Sequence, residues 1–334
     1  MIYDKTLIIA EAGVNHNGSV DIAKKLCLAA KDSGADVVKF QTWITDRIIT
    51  KTVKQADYQI ENTGDNQSQY DMLKSLELSF DAFRKIKTYC DEIGIMFAST
   101  ADETESLDFL VELGIPFIKL GSDVIGNIPY LRYVGSKELP VIMSTGMSTL
   151  ADVEISLNAL REGGAEDITL LHCTTSYPCQ YEFVNLKAMD TLKNAFGYEI
   201  GYSDHTCGIE IPIAAVARGA KVIEKHFTLD KNMEGPDHRA STEPAEFKQM
   251  VDAIRHVEQG MGTGVKEPTR DEKEISKVVL KRIVAKHAIA EGSVISETDI
   301  CVKRNETGLP ASAWDIIVGT KARKNFAEDE GIEI

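Results

Sequence analysis

Tyr198-Glu199-Ile200-Gly201-Tyr202-Ser203-Asp204-His205 is a short apolar run that ends in a polar cluster, and Lys221-Val222-Ile223-Glu224-Lys225-His226 repeats the design. The two terminal histidines stand 21 residues apart, the length of one strand, one helix and their loops. Six earlier runs read the same way, ending at Glu11, Thr42, Thr100, Ser122, Gly146 and Thr174. The chain between them carries helical spacing, as from Ala23 to Ala30. Strands that are apolar almost throughout are buried on both faces, and their alternation with helices calls for parallel βαβ units. Eight such units close a (β/α)8 barrel of the α/β class, whose active site gathers at the carboxyl ends of the strands. Those ends carry Glu, Lys, Gln, Ser, Thr, Asp and His, which folding alone does not require. The sequence therefore reads as an enzyme.

The chain has 334 residues, and a barrel of this kind takes about 250, so a small second domain is expected. An apolar share of 43% beside 27% charged residues suits a globular fold. The 37 basic and 52 acidic residues leave a net charge of −15, which argues against a general nucleic-acid or anionic-membrane surface. An anionic substrate must then be held by a local cluster of cations. No stretch approaches the roughly 18 consecutive apolar residues of a membrane span. Met1-Ile2-Tyr3-Asp4-Lys5 also lacks the build of a secretory signal, so a cytoplasmic location is expected. The six cysteines are scattered without a CxxC spacing and read as free, mostly buried thiols rather than zinc ligands.

The barrel is expected over residues 1–262, a charged linker or exposed helix over 263–278, and a β-rich second domain over 279–334. Arg282 to Ala285 and Ile300 to Arg304 are its strand-like runs. A long polar stretch from Trp43 to Leu78, including Glu61 to Ser68, sits after the second strand, where it could cover the site. Ser241-Thr242-Glu243-Pro244 reads as a hydroxyl cap and proline opening the eighth helix.

His205 and His226 end adjacent strands and can converge on one divalent cation, with open positions that suit Mn²⁺, Co²⁺ or Zn²⁺ better than Ca²⁺. Lys39 and Lys119, with Thr100, Ser122, Ser144, Thr145 and Ser203, would ring the same mouth with point charges and orientable hydroxyls, a set suited to a phosphate ester and a carboxylate. Glu11, Asn15, His16 and Gln41 could bond a polyhydroxy ligand, and Asp237 can reach over the site from the loop after the eighth strand. The residues alone describe a metal-dependent barrel enzyme acting on a phosphorylated or acidic small molecule.

Several motifs resemble one family: Glu11-Ala12-Gly13-Val14-Asn15-His16-Asn17-Gly18, Lys39-Phe40-Gln41-Thr42, Ser144-Thr145-Gly146-Met147, His172 to Pro178, Gly201 to His205, Glu224 to Thr228 and Gly235-Pro236-Asp237-His238. They are similar to the bacterial sialic acid synthases, and the tail resembles their antifreeze-like SAF domain. The resemblance implies condensation of phosphoenolpyruvate with an N-acetylmannosamine-type sugar, giving N-acetylneuraminate and phosphate by C–O cleavage. It implies a divalent metal on His205 and His226, Mn²⁺ first, with Mg²⁺ or Co²⁺ as alternatives. Lys39, Thr100, Lys119, Ser122, Ser144, Thr175, Tyr177 and Ser203 would surround phosphoenolpyruvate, while Glu11, Gln41, Glu224 and Asp237 would stand near the sugar and the reacting centre. It further implies a homodimer in which Arg304 from one tail completes the partner's site.

Asp102 stands where many relatives have an apolar ring, Val124 where an acid is frequent, Asn305 where proline is usual, and Thr175 where some have asparagine. Asp102 and Val124 would face the sugar. They keep open a second substrate, 2,4-diacetamido-2,4,6-trideoxymannose, which gives N,N'-diacetyllegionaminate. A metal-dependent aldolase or epimerase would not need the tail, and an ice- or carbohydrate-binding protein would not need the rim.

Overall fold

The computed structural model of the chain describes residues 3–55, 60 and 68–333. Among them, eight parallel strands close a barrel in chain order: β1 Leu7–Gly13, β2 Val37–Thr42, β3 Met96–Ala101, β4 Ile118–Leu120, β5 Val141–Ser144, β6 Ile168–Cys173, β7 Glu199–Asp204 and β8 Val222–His226. β1 pairs with β8 to seal it, Glu11 lying opposite His226.

The inside of the barrel is built in layers, because side chains two apart on a strand share a face. Ile9, Val37, Ala98, Phe117, Ile142, Leu171 and Val222 form one buried apolar cluster. Two residues further along the same chain segments come Glu11, Lys39, Thr100, Lys119, Ser144, Cys173 and Glu224, all buried and all lining one cavity. The floor is thus hydrocarbon and the next layer is polar. β7 supplies Gly201 at the floor position, where an added Cβ would lie 2.5 Å from Leu171 Cδ2 and from the Val222 carbonyl oxygen. The alternate residues, such as Ile8, Val38, Phe97, Leu120, Met143, Leu170 and Ile223, point outward into a second apolar layer against the helices.

Those helices start where the sequence offers caps. Ser19, Ser79, Asn127 and Thr149 accept backbone N–H bonds at the heads of Val20–Asp32, Phe80–Ile93, Ile128–Gly135 and Leu150–Gly163. The helix Pro244–Gly260 departs from expectation. Its cap residue is Glu243, which makes no capping bond. The Glu243 carboxylate accepts instead from Lys231 N at 2.9 Å, so the hydroxyls of Ser241 and Thr242 are not the cap.

The stretch after β2 forms the short helices Thr45–Ile48 and Gln69–Leu76. Residues 56–59 and 61–67, which include Tyr58 and most of the polar run from Glu61, lie outside the described residues. Met72 and Leu76 pack with Val14 and Trp43 in a small cluster of their own.

Residues Thr263–Ile334 form a separate compact unit. An exposed helix, Arg270–Val279, fills most of the segment read as a linker. β9 Lys281–Ala285 and β10 Ile300–Arg304 then pair antiparallel over a core that includes Ile283, Ile295, Ile300, Phe326 and Ile332. All six cysteines are free, and Cys27, Cys90, Cys173 and Cys179 are buried.

Candidate active site

The polar layer opens into a cavity of about 330 Å³ at the carboxyl end of the barrel. Strand register builds its centre: Glu11 lies opposite Lys39, Thr100 opposite Lys119, and Ser203 opposite Glu224. Lys39 Nζ stands 2.7 Å from Glu11 Oε2 and donates to Thr100 Oγ1 at 2.9 Å. Lys119 Nζ donates to Ser144 Oγ at 2.9 Å and stands 3.4 Å from Glu224 Oε1. Glu224 also accepts from Ser203 Oγ at 2.9 Å and lies 3.8 Å from Lys39. Gln41 donates to Glu11 at 3.2 Å.

The two carboxyl groups behave oppositely. Burial opposes the charge on Glu224, but Lys119 and Lys39 outweigh it and hold that carboxyl down to about 2. Burial dominates at Glu11 and pushes it up to about 7 against the pull of Lys39. Burial also works against the charge on Lys39, yet Glu11 and Glu224 hold its affinity for the proton above the usual range; at Lys119 burial wins and lowers it. A permanently ionised group beside one that titrates near neutrality is the environment of an acid–base pair.

His205 and His226 meet at the rim with ring centroids 5.4 Å apart, and Tyr177 lies against both. His205 Nδ1 is within 2.8 Å of the Thr174 carbonyl, a bond that places the proton on Nδ1 and leaves Nε2 as a lone-pair donor. His226 is held neutral, first by burial and then by the neighbouring His205. Its Nδ1 is buried without a hydrogen bond among the described residues, and Asp237 Oδ2 is 4.0 Å away. Asp237 is itself pushed up to about 6 by burial. Two imidazoles at the rim of one cavity fit a divalent ion that takes its other ligands from water and substrate. No group of three or more His, Cys, Asp or Glu among the described residues could hold an ion by itself.

Ser122, Thr175 and Tyr177 line the same cavity. Ser122 Oγ accepts from Gly146 N at 2.9 Å, and a Cβ on Gly146 would sit 2.2 Å from Thr175 Oγ1, so only glycine leaves both hydroxyls their place. Arg304 lies exposed on β10 of the second unit.

Three expectations are corrected. Val124 is buried in the apolar core and is not among the residues lining this cavity; Asp123, one step earlier, lines the mouth beside Asp102. Asn15 spends its amide on the Phe227 carbonyl and Ser241 Oγ, both at 2.9 Å. His16 is fully buried and its Nδ1 accepts from Gly18 N at 3.0 Å, so both residues hold loops rather than ligand. Cys173, which faces the cavity, carried no signal beyond being two residues past Leu171 on an inward face. The Asp204–Lys225 ion pair, 2.5 Å and buried, is also new; with Thr206 it pins the segment carrying His205 from outside the barrel.

The closed barrel and its charged mouth define a (β/α)8 enzyme. The chain belongs to the NeuB family, matched by residues 26–266, and carries a SAF domain over residues 282–333. It is 47% identical to N,N'-diacetyllegionaminic acid synthase of Campylobacter jejuni over 98% of both chains. With the enzyme of the same description from Legionella pneumophila it shares 44% identity over 96% of this chain and 91% of that one. A crystal structure of N-acetylneuraminic acid synthetase from Leptospira borgpetersenii, in complex with citrate, superposes with a TM-score of 0.71 at 33% identity, covering 81% of this chain and 90% of that one. No helix of the described residues is long and apolar enough to cross a membrane.

Proposed function

We propose that this chain condenses phosphoenolpyruvate with 2,4-diacetamido-2,4,6-trideoxymannose to give N,N'-diacetyllegionaminate and inorganic phosphate. End-to-end similarity to two legionaminic acid synthases supports the choice of sugar. The observation that carries the chemistry is Glu224 held between Lys119 and Lys39 in the cavity that His205 and His226 also line.

Lys39 and Lys119, with Thr100, Ser122, Ser144, Ser203, Thr175 and Tyr177, would neutralise and orient the phosphate and carboxylate of phosphoenolpyruvate. C3 of that substrate bonds to the sugar aldehyde carbon, water adds at C2, and the tetrahedral product of that addition expels phosphate by breaking the C2–O bond. Glu11 would supply the proton that turns the aldehyde oxygen into a hydroxyl. Glu224, ionised in the resting site, would take one proton from the attacking water and pass it to the departing phosphate, and the other water proton would return to Glu11 as the ketone forms. Gln41 and Asp237 would hold the sugar's hydroxyls. A divalent ion on His205 and His226, Mn²⁺ first with Mg²⁺ or Co²⁺ as alternatives, would act as the Lewis acid that polarises the aldehyde. Arg304 would complete the site of a partner subunit, because a small domain gains stability by docking.

Similarity to the Leptospira synthetase favours N-acetylmannosamine as the second sugar to test. Phosphate release from phosphoenolpyruvate with each sugar, with and without chelation, decides among these. The diacetamido sugar should give the higher kcat/KM, and chelated protein should release no phosphate. Arg304→Ala and Lys119→Met subunits, each inactive alone, should regain activity on exchange, since one of the two mixed sites has both residues. Failure after demonstrated exchange rejects the shared site.

A further inference from the structure

His226 stands between two spaces of opposite character. On one side is the charged cavity; on the other is an alcove of about 130 Å³. Its polar edge is Gln41, Tyr177, His226 and Asp237, and its walls are Val14, Met72, Leu73, Leu76 and Pro236. Val14, Met72 and Leu76 are buried and fixed against Trp43, while Leu73 packs on them only partly buried. The walls therefore have a packing role already, and the space between them and Asp237 is left over. At about 30 Å³ per water, such a space holds only a few non-hydrogen atoms.

Resting on the reading of this chain as a synthase acting on an open-chain sugar, we infer that the alcove selects that sugar by a methyl group. The sugar's hydroxyls meet Gln41 and Asp237 at the edge, and a carbon without oxygen enters between Leu73, Leu76 and Val14. A hydroxyl there would lose its water and, among the described residues, find no donor or acceptor on the side chains of Val14, Leu73 and Leu76. Two parts of a diacetamido-trideoxy sugar offer a methyl, the deoxygenated terminal carbon and an acyl methyl. The chemistry is the same, and the sources separate by experiment.

The test measures kcat/KM from phosphate release with two matched pairs: N-acetylmannosamine against its 6-deoxy analogue, and N-acetylmannosamine against N-formylmannosamine. The unmodified protein should prefer the methyl-bearing member of one pair by about 10- to 100-fold. Leu73→Asn, which replaces part of the apolar wall with an amide, should cut that preference at least tenfold, and Leu73→Met should keep it. The pair that responds names the source. Turnover with no preference in either pair, or a preference that Leu73→Asn leaves unchanged, overturns the inference while the synthase reading stands. Absence of sugar-dependent phosphate release with every sugar sinks that reading and this inference with it. The comparison of sugars on unmodified protein needs no variant to fold.

Discussion

Phe117 and Lys119 sit two residues apart on one stretch of chain, both buried, both facing the barrel axis, and they do opposite work. Phe117 belongs to the hydrocarbon floor with Ile9, Val37 and Ile142. Lys119 belongs to the layer above, where its ammonium group meets Ser144 and Glu224. The floor gains stability from every atom taken out of water. The charged layer gains little, because the cost of burying each ion offsets the attraction between them. Stability and reactivity are thus separated by a single step of strand period.

The sharpest way to break that separation is to change each layer alone. Lys119→Met should lower kcat/KM by a factor equal to about 2–5 kcal/mol of transition-state stabilisation, read from phosphate-release kinetics. Glu224 keeps Lys39 at 3.8 Å and the Ser203 hydroxyl, so urea unfolding should register a smaller loss of stability than the floor variant does. Phe117→Ala should cost about 3–5 kcal/mol of stability in the same unfolding experiment, with activity per folded molecule much less affected. If Lys119→Met unfolds the protein while Phe117→Ala silences it without loss of stability, the two layers do not have these roles.

A smaller effect sharpens the account within the polar layer. Glu11, with its carboxyl pushed up to about 7 by burial, should donate its proton less well as pH rises through that value, and kcat should fall there. Glu11→Gln should be slow at every pH and should lack that limb. Stability carries the same sign: a folded carboxyl raised above the ordinary range of about 4.5 contributes stability at low pH that is lost as pH climbs through about 7. Thermal melting against pH should show a decline over that interval that Glu11→Gln lacks.

How much of this was legible in the sequence follows from the same strand period. Eight runs ending in polar residues gave the barrel, and Glu11, Lys39, Thr100, Lys119, Ser144, Ser203 and Glu224 stood out as polar residues near the ends of otherwise apolar runs. Prediction failed where the strand ends and period no longer decides which way a side chain points. Val124 lies just beyond β4 in a short 3-10 turn, and there Asp123 takes the mouth and Val124 the core. Asn15 and His16 look like ligand contacts beside Glu11, yet Asn15 is spent on Phe227 and Ser241, far along the chain, and no local pattern reports such a partner. The alcove beside His226 was equally invisible, since it is assembled from the loop after β1, the helix Gln69–Leu76 and the loop after β8.

The central claim is that the charged layer breaks the C–O bond of phosphoenolpyruvate while joining it to an aldehyde sugar. One measurement tests it most directly: incubation with phosphoenolpyruvate carrying ¹⁸O at the bridging oxygen, together with 2,4-diacetamido-2,4,6-trideoxymannose and Mn²⁺, followed by mass analysis of the phosphate. Phosphate should form only when sugar is present and should retain the ¹⁸O. Phosphate without the label, or phosphate formed at the same rate without sugar, would contradict it.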